Sequence, residues 1–272
     1  MIKNVLFPID FSPSCIAPVP FVKSAAALLD PRVTLLHVCD LTSSNGFELH
    51  VRSPQEIAQE HWSIARCKID SFLESEFPPA SCPRILHYGD TAEQIVAASG
   101  FDLVIMPTHA GRFRRMLLGS TTAKVLNGAN CPVLSAEHIQ VGAPRPLGYR
   151  QWTCALAFNA DSTRVLNLTN RAAAEVGAKL LLVHIVESNS GKANCAEEET
   201  LHRRLSEPQS SLGCNAAIQV ARGPVKEALL NLARQASADL LIIGRPLCHS
   251  LSRMRDLTYG MIRDSPCPVL SV

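Results

Sequence analysis

Apolar residues along this chain gather in short runs with the length and β-branched character of buried strands: Val5 to Ile9, Val33 to Val38, Arg84 to Tyr88, Leu103 to Met106 and Val133-Leu134. Helical patterns lie between them. The first is the Ala-rich stretch Ser24 to Leu29, with Pro18 and Pro20 making its first turn irregular. Ser53-Pro54-Gln55-Glu56 has the form of a capping box and opens a helix. Ala58, Trp62, Ala65, Ile69 and Leu73 mark its expected buried face, with Trp62 in the core. Gly89-Asp90 turns into a third helix, for which Thr91 and Gln94 supply a second capping box. Gly119-Ser120 begins a fourth, which ends at Gly128. Strands that are apolar throughout and alternate with helices predict a parallel sheet covered on both faces.

The pattern stops at Glu137 and resumes after a Gly- and Pro-containing stretch, residues 138–151, which reads as a linker. The sequence then repeats itself. Cys154 to Phe158 answers the first strand, Leu181 to Ile185 answers Leu35 to Val38, and Asp239 to Ile243 answers Asp102 to Met106. Cys267-Pro268-Val269-Leu270-Ser271 repeats Cys131-Pro132-Val133-Leu134-Ser135 residue for residue. Two copies of one α/β domain are expected, 1–137 and 152–272. Their last strands, as sheet edges with apolar side chains, are expected to cover each other as an internal pseudo-dimer. Whether tandem chains pair again as a homodimer stays open.

At 272 residues and 47% hydrophobic, the chain can bury a core in each copy. A formal charge of +2 favours neither nucleic acid nor a membrane as an obligatory partner. No apolar run approaches the ~20 residues of a membrane span, and no signal peptide precedes the first strand. The ten cysteines include no Cys-x-x-Cys pair, so a reducing cytoplasm with buried thiols is expected. Cys248 and His249 are the one candidate start of a metal site.

Chemistry concentrates between Phe101 and Ala136. A buried strand leads into a loop with Thr108, His109, Gly111, Arg112, Arg114 and Arg115, followed by Gly119-Ser120 at a helix start. Free N–H groups at a helix N-terminus, approached over glycine, suit a phosphate. An ordinary strand-to-helix connection with a solvated basic loop is the alternative. Asp10, at the end of the first strand, either caps the next turn or meets a ligand donor. His37 reads as a satisfied core histidine.

The ending GSTTAKVLNGANCPVL resembles the signature of the universal stress protein family, roughly Gly-x-x-Gly, a spacer, Gly-Ser/Thr and later Cys-Pro-Val. Pro107 and Ala110 stand where that pattern has glycines, with Gly111 one place late. With the repeat, the resemblance covers nearly the whole chain in a tandem two-domain form. It implies two doubly wound domains with five-stranded parallel sheets in the order 3-2-1-4-5, and a ligand crevice beyond the first and fourth strands. It also implies a regulatory stress-response protein that binds ATP or AMP, with Mg²⁺ accompanying ATP, and is not an enzyme. By this resemblance Asp10 faces ribose or adenine, and Val38 pairs its backbone with the adenine edge. Pro8 and Met106 stand at the strand ends, and Gly111, Gly119, Ser120 and Thr121 hold phosphate. The second copy aligns Asn159 with Asp10, and Arg255-Asp256 with Gly119-Ser120, so its site is expected to be degenerate.

Two other readings stand beside this one. A universal stress protein that has lost nucleotide would act through an unknown protein partner alone. An ATP pyrophosphatase would resemble Ser-Gly-Gly-x-Asp-Ser after its first strand, where this chain has Asp10-Phe11-Ser12-Pro13-Ser14. Walker, Gly-x-Ser-x-Gly and His-Glu-x-x-His motifs are absent as well.

Overall fold

The computed structural model describes residues 2–16, 18–39, 53–107, 118–136, 150–159, 161–187, 195–245 and 252–272. They form two compact units, Ile2–Val133 and Leu134–Val272. The first half runs β1 (Asn4–Ile9), a 3-10 turn (Pro13–Cys15), α1 (Val19–Leu29), β2 (Arg32–Cys39), α2 (Pro54–Ile69) and β3 (Arg84–Tyr88). It continues through α3 (Thr91–Ala97), β4 (Leu103–Met106) and α4 (Ser120–Gly128) to β5 (Val133–Ser135), on which the unit boundary falls. Its strands lie in the order β3-β2-β1-β4-β5, and the registered pairs are parallel. That is the predicted 3-2-1-4-5 order.

The second half repeats it with β6 (Gln151–Ala155), α5 (Ser162–Val176), β7 (Lys179–Val186), α6 (Cys195–Ser211) and β8 (Ala217–Arg222). Then come α7 (Val225–Gln235), β9 (Leu240–Ile243), α8 (Ser252–Asp264) and β10 (Val269–Ser271), ordered β8-β7-β6-β9-β10. Within this unit Ser135, at the end of β5, donates its hydroxyl to the Val269 carbonyl at 3.1 Å.

Each core lies on both faces of its strands, as consecutive buried residues show. Val5, Leu6, Phe7, Leu35 and Ile105 in one unit, and Cys154, Leu182, Val183, Leu241 and Ile242 in the other, are fully buried. One carboxylate ties each first strand to its neighbour. Asp102 accepts from the N–H groups of Lys3 and Asn4 at 2.8 and 2.9 Å, and Asp239 accepts from Arg150 and Gln151 at 2.9 and 3.0 Å. Charge-assisted bonds to the first N–H groups of a strand fix where its ladder begins.

Local chemistry explains where the sequence reading departs. Ser53 and Glu56 form the expected capping box, with Glu56 N–H donating to Ser53 Oγ and Ser53 N–H to Glu56 Oε2. For α3 the cap is Asp90, which accepts from Glu93 N–H at 3.0 Å. Gln94 is drawn instead to His87 Nδ1, at 3.0 Å, because the shorter Asp90 side chain already satisfies the helix start. Trp62 is only half-buried and stacks on exposed Tyr88 at 4.6 Å, while Ile57, Ala65 and Ile69 make the buried face of α2. Leu73 lies beyond that helix, with φ 55°. Gln151, read as linker, opens β6, and β6 stops at Ala155 rather than reaching Phe158.

One difference between the halves shapes the crevice. Asn4 offers its carbonyl to Asp102 in front of β4, while Lys3 offers its own to Arg32 in front of β2. Backbone direction alternates along a strand, so Pro8 faces β4, with no N–H to give. The β1–β4 register accordingly covers Val5↔Leu103 and Leu6↔Val104. Its counterpart, β6–β9, runs one step further, to Cys154↔Ile242, because Ala155 stands where Pro8 stands and keeps its N–H. The carboxyl ends of β1 and β4 are therefore free to part.

Candidate functional site

Beyond those strand ends lies a cavity of about 720 Å³. Of the residues singled out from the sequence, Pro8, Asp10, Val38, Met106, Gly119, Ser120 and Thr121 all line it. Gly111 and the arginines of the loop lie outside the described residues, as do Cys248 and His249. The sequence reading missed the contributions of Cys15, of His61 and Lys68 on α2, and of Thr91 and Thr122.

One wall is the turn after β1. Asp10 accepts from the Ser12 N–H at 2.9 Å and from the Cys15 thiol at 2.8 Å, both on Oδ1, while its own N–H donates to Cys15 Sγ at 3.1 Å. Partial burial raises the pKa of Asp10, but the bonds from Cys15 and Ser12 outweigh it and hold the carboxyl below its ordinary value. Burial, then the bond to Asp10 and its charge, push the Cys15 thiol up to about 12. The turn is pinned from β2: His37 Nδ1 meets the Ile9 carbonyl at 2.9 Å, and its ring packs on Phe11 at 4.2 Å. Phe11 takes φ 60°, an uncommon conformation for a bulky residue. His37 is thus the structural histidine expected.

The facing wall is the start of α4. Gly119 is its N-cap and supplies no side chain, so the first N–H groups of the helix are uncapped beside the cavity. Thr122, 4% exposed, donates Oγ1 to the Pro107 carbonyl at 3.0 Å and ties the strand end to the helix. Pro107 itself lines the cavity and offers no N–H. Val38, Ile64, Ala65, Ile95 and Met106 make the remainder largely apolar. Apolar walls with a few convergent polar groups are the ordinary character of a small-molecule site.

The second unit has a cavity at the corresponding place, of about 270 Å³. His184 bonds the Leu156 carbonyl at 2.7 Å and packs on Phe158, φ 53°, at 4.1 Å, so the pin on the first turn is repeated. This match corrects the alignment of the halves. With His37 on His184 and Phe11 on Phe158, Asp10 falls on Ala157, and Asn159 falls on Ser12. Arg255-Asp256 needs correction too. They lie inside α8, which starts at Ser252, about a turn earlier than the Cys-Pro spacing implies. Asp256 is exposed, and Leu257 lines the small cavity where Thr121 lines the large one. Around the second cavity β6 and β9 stay paired one step further, and an apolar side chain stands where the first has a hydroxyl. No carboxylate stands at the place of Asp10.

The paired histidines set an expected pH dependence. Burial holds His37 and His184 below their ordinary 6.5, outweighing the carbonyl each meets. The unfolded chain therefore binds more protons just below that pH, and stability present above 6.5 is lost as pH falls toward the folded values. Thermal midpoints should drop from pH 7 to pH 5, and the drop should shrink when both histidines are changed to asparagine. An unchanged slope would remove them as its cause.

A family model described as the universal stress protein family matches residues 1–136 and again 148–272. The chain belongs to the universal stress protein family. It is the tandem two-domain form, with one copy in each half. A universal stress protein A homolog 2 from Coxiella burnetii is 27% identical over 139 residues, which is 50% of this chain and 94% of that protein. A universal stress protein structure from Archaeoglobus fulgidus covers 99% of this chain and 95% of its own, at 20% identity and a TM-score of 0.71. A functionally unknown protein from Pseudomonas aeruginosa covers 100% and 92%, at 16% identity and 0.63. These structural likenesses speak to the fold. Among the described residues no helix is long and apolar enough to cross a membrane.

Proposed function

We propose that this universal stress protein binds an adenine nucleotide, ATP or AMP, in its first domain, and that the second domain is a scaffold without a site. The observation that carries the reading is the 720 Å³ cavity with an ionised acceptor on one wall and an uncapped helix start on the other. Asp10 accepts a ribose or adenine donor, the backbone of Val38 pairs with the adenine edge, and apolar walls hold the ring. Ser120 and Thr121 offer hydroxyls and N–H groups to phosphate, with Gly119 allowing close approach and Gly111 contributing from the loop. Mg²⁺ arrives on the phosphates of ATP, since Asp10 is the single carboxylate lining the cavity among the described residues. The reading is of binding without turnover, with a change of protein partner in a stress response as its outcome.

Free thiols at Cys15, Cys39, Cys82 and Cys154 suit a reducing cytoplasm. Pro107 favours the second reading, action through protein contacts alone, because it withholds a donor from the phosphate wall. Mass spectrometry of small molecules released from the purified protein separates the two. ATP or AMP recovered in proportion to protein supports nucleotide binding; their absence, with no uptake on incubation, supports the second.

A further inference from the structure

The turn after β1 holds a reciprocal pair that the nucleotide reading leaves unused. The Cys15 sulfur accepts the Asp10 N–H at 3.1 Å, and its proton goes to Asp10 Oδ1 at 2.8 Å. Oδ1 also receives the Ser12 N–H, and the Ser12 side chain adds a further bond to the same carboxylate, so the turn holds the acid from several sides. The second unit repeats the device with different chemistry. Ser162 stands at the place of Cys15 when His37 is laid on His184. Its Oγ accepts the Asn159 N–H at 3.1 Å and donates to Asn159 Oδ1 at 3.1 Å. There the partner is a neutral amide two residues further along. The recurrence shows that a donor–acceptor side chain at this point of the turn locks whichever polar side chain precedes it.

From this geometry we infer that Cys15 is the positioning residue of the first site: its thiol proton fixes Asp10 as an anion, oriented at the cavity wall to meet a ligand hydroxyl or amine. The inference rests on the proposed nucleotide site for its ligand, and on the turn alone for its effect on Asp10. A thiol that donates to a carboxylate stabilises the charged form and sets its direction. Cys15 is 2% exposed, so the sulfur end of the bond is buried, while Asp10 itself is exposed at the cavity wall. A hydroxyl performs the same exchange in the second unit, so serine should replace the thiol and alanine should not.

The test uses the full chain and the variants Cys15→Ser and Cys15→Ala, both compatible in size with the buried position. Carboxyl carbon NMR follows the titration of Asp10 without any ligand. The Asp10 midpoint should rise in Cys15→Ala and stay near the wild-type value in Cys15→Ser. Calorimetry with ATP–Mg²⁺ and with AMP should then show about tenfold weaker binding in Cys15→Ala, largest at the acid end of the pH range. Recovery in Cys15→Ser is expected. An Asp10 midpoint indifferent to Cys15→Ala, or equal losses in both variants, overturns the positioning role. A wild-type chain that binds neither nucleotide overturns the nucleotide reading instead, and the carboxyl titration still decides what Cys15 does.

Discussion

Ser120→Asp is expected to weaken ATP binding to the full chain by about a hundredfold or more while leaving the protein folded. Two charges about 4 Å apart interact by ~4 kcal/mol at an effective dielectric of 20, so a carboxylate among phosphates outweighs one lost hydroxyl. The same substitution places a negative charge on the first residue of α4, which favours the helix. A loss of binding with an unchanged or raised thermal midpoint therefore separates a site effect from unfolding. Asp256→Ser is the matched control and should change nothing, because Asp256 sits exposed within α8 and away from its start. Equal affinity in wild type and Ser120→Asp would remove the start of α4 from the phosphate site.

Phe7→Ala should produce the largest loss of stability. Phe7 is fully buried in the central strand β1 and meets the edge of Phe77 at 6.0 Å. Truncating a buried phenylalanine costs about 3–5 kcal/mol, the lost transfer free energy plus the cavity left behind. Denaturant unfolding should show that loss in a transition of the first unit. Nucleotide binding should fall with it, since β1 carries Pro8 and leads directly into Asp10. A loss under 1 kcal/mol would mean that the sheet is not packed as described.

Most of the fold was legible because period and punctuation carried it. The bounds of β3, β4 and α4 follow from apolar runs and from Gly119 and Gly128, and the Cys-Pro repeat disclosed the tandem copy. Residues whose meaning depends on three-dimensional register were not legible. Asp10 and Asn159 look alike as polar groups after a strand, and only the paired His37–Phe11 and His184–Phe158 contacts show that they are two positions apart. The start of α8 was misplaced because helix length is not set by a closing motif. Pro8 reads as an ordinary strand residue until its direction toward β4 is known, and Cys15 as a buried hydrophobe until its proton is traced to Asp10.

The site residues themselves came from family resemblance, and seven of the eight line one cavity. Their shared surroundings make the asymmetry of the halves a physical matter. One crevice is opened by a proline and carries a charged acceptor; the other is closed by a further pair of the ladder and carries alanine.

Calorimetric titration of the full chain with ATP–Mg²⁺, read for stoichiometry, tests this asymmetry most directly. The expected result is one site per chain, absent in Ser120→Asp and retained in Asp256→Ser. Two equivalent sites, or one site that survives every change in the first domain, would contradict it.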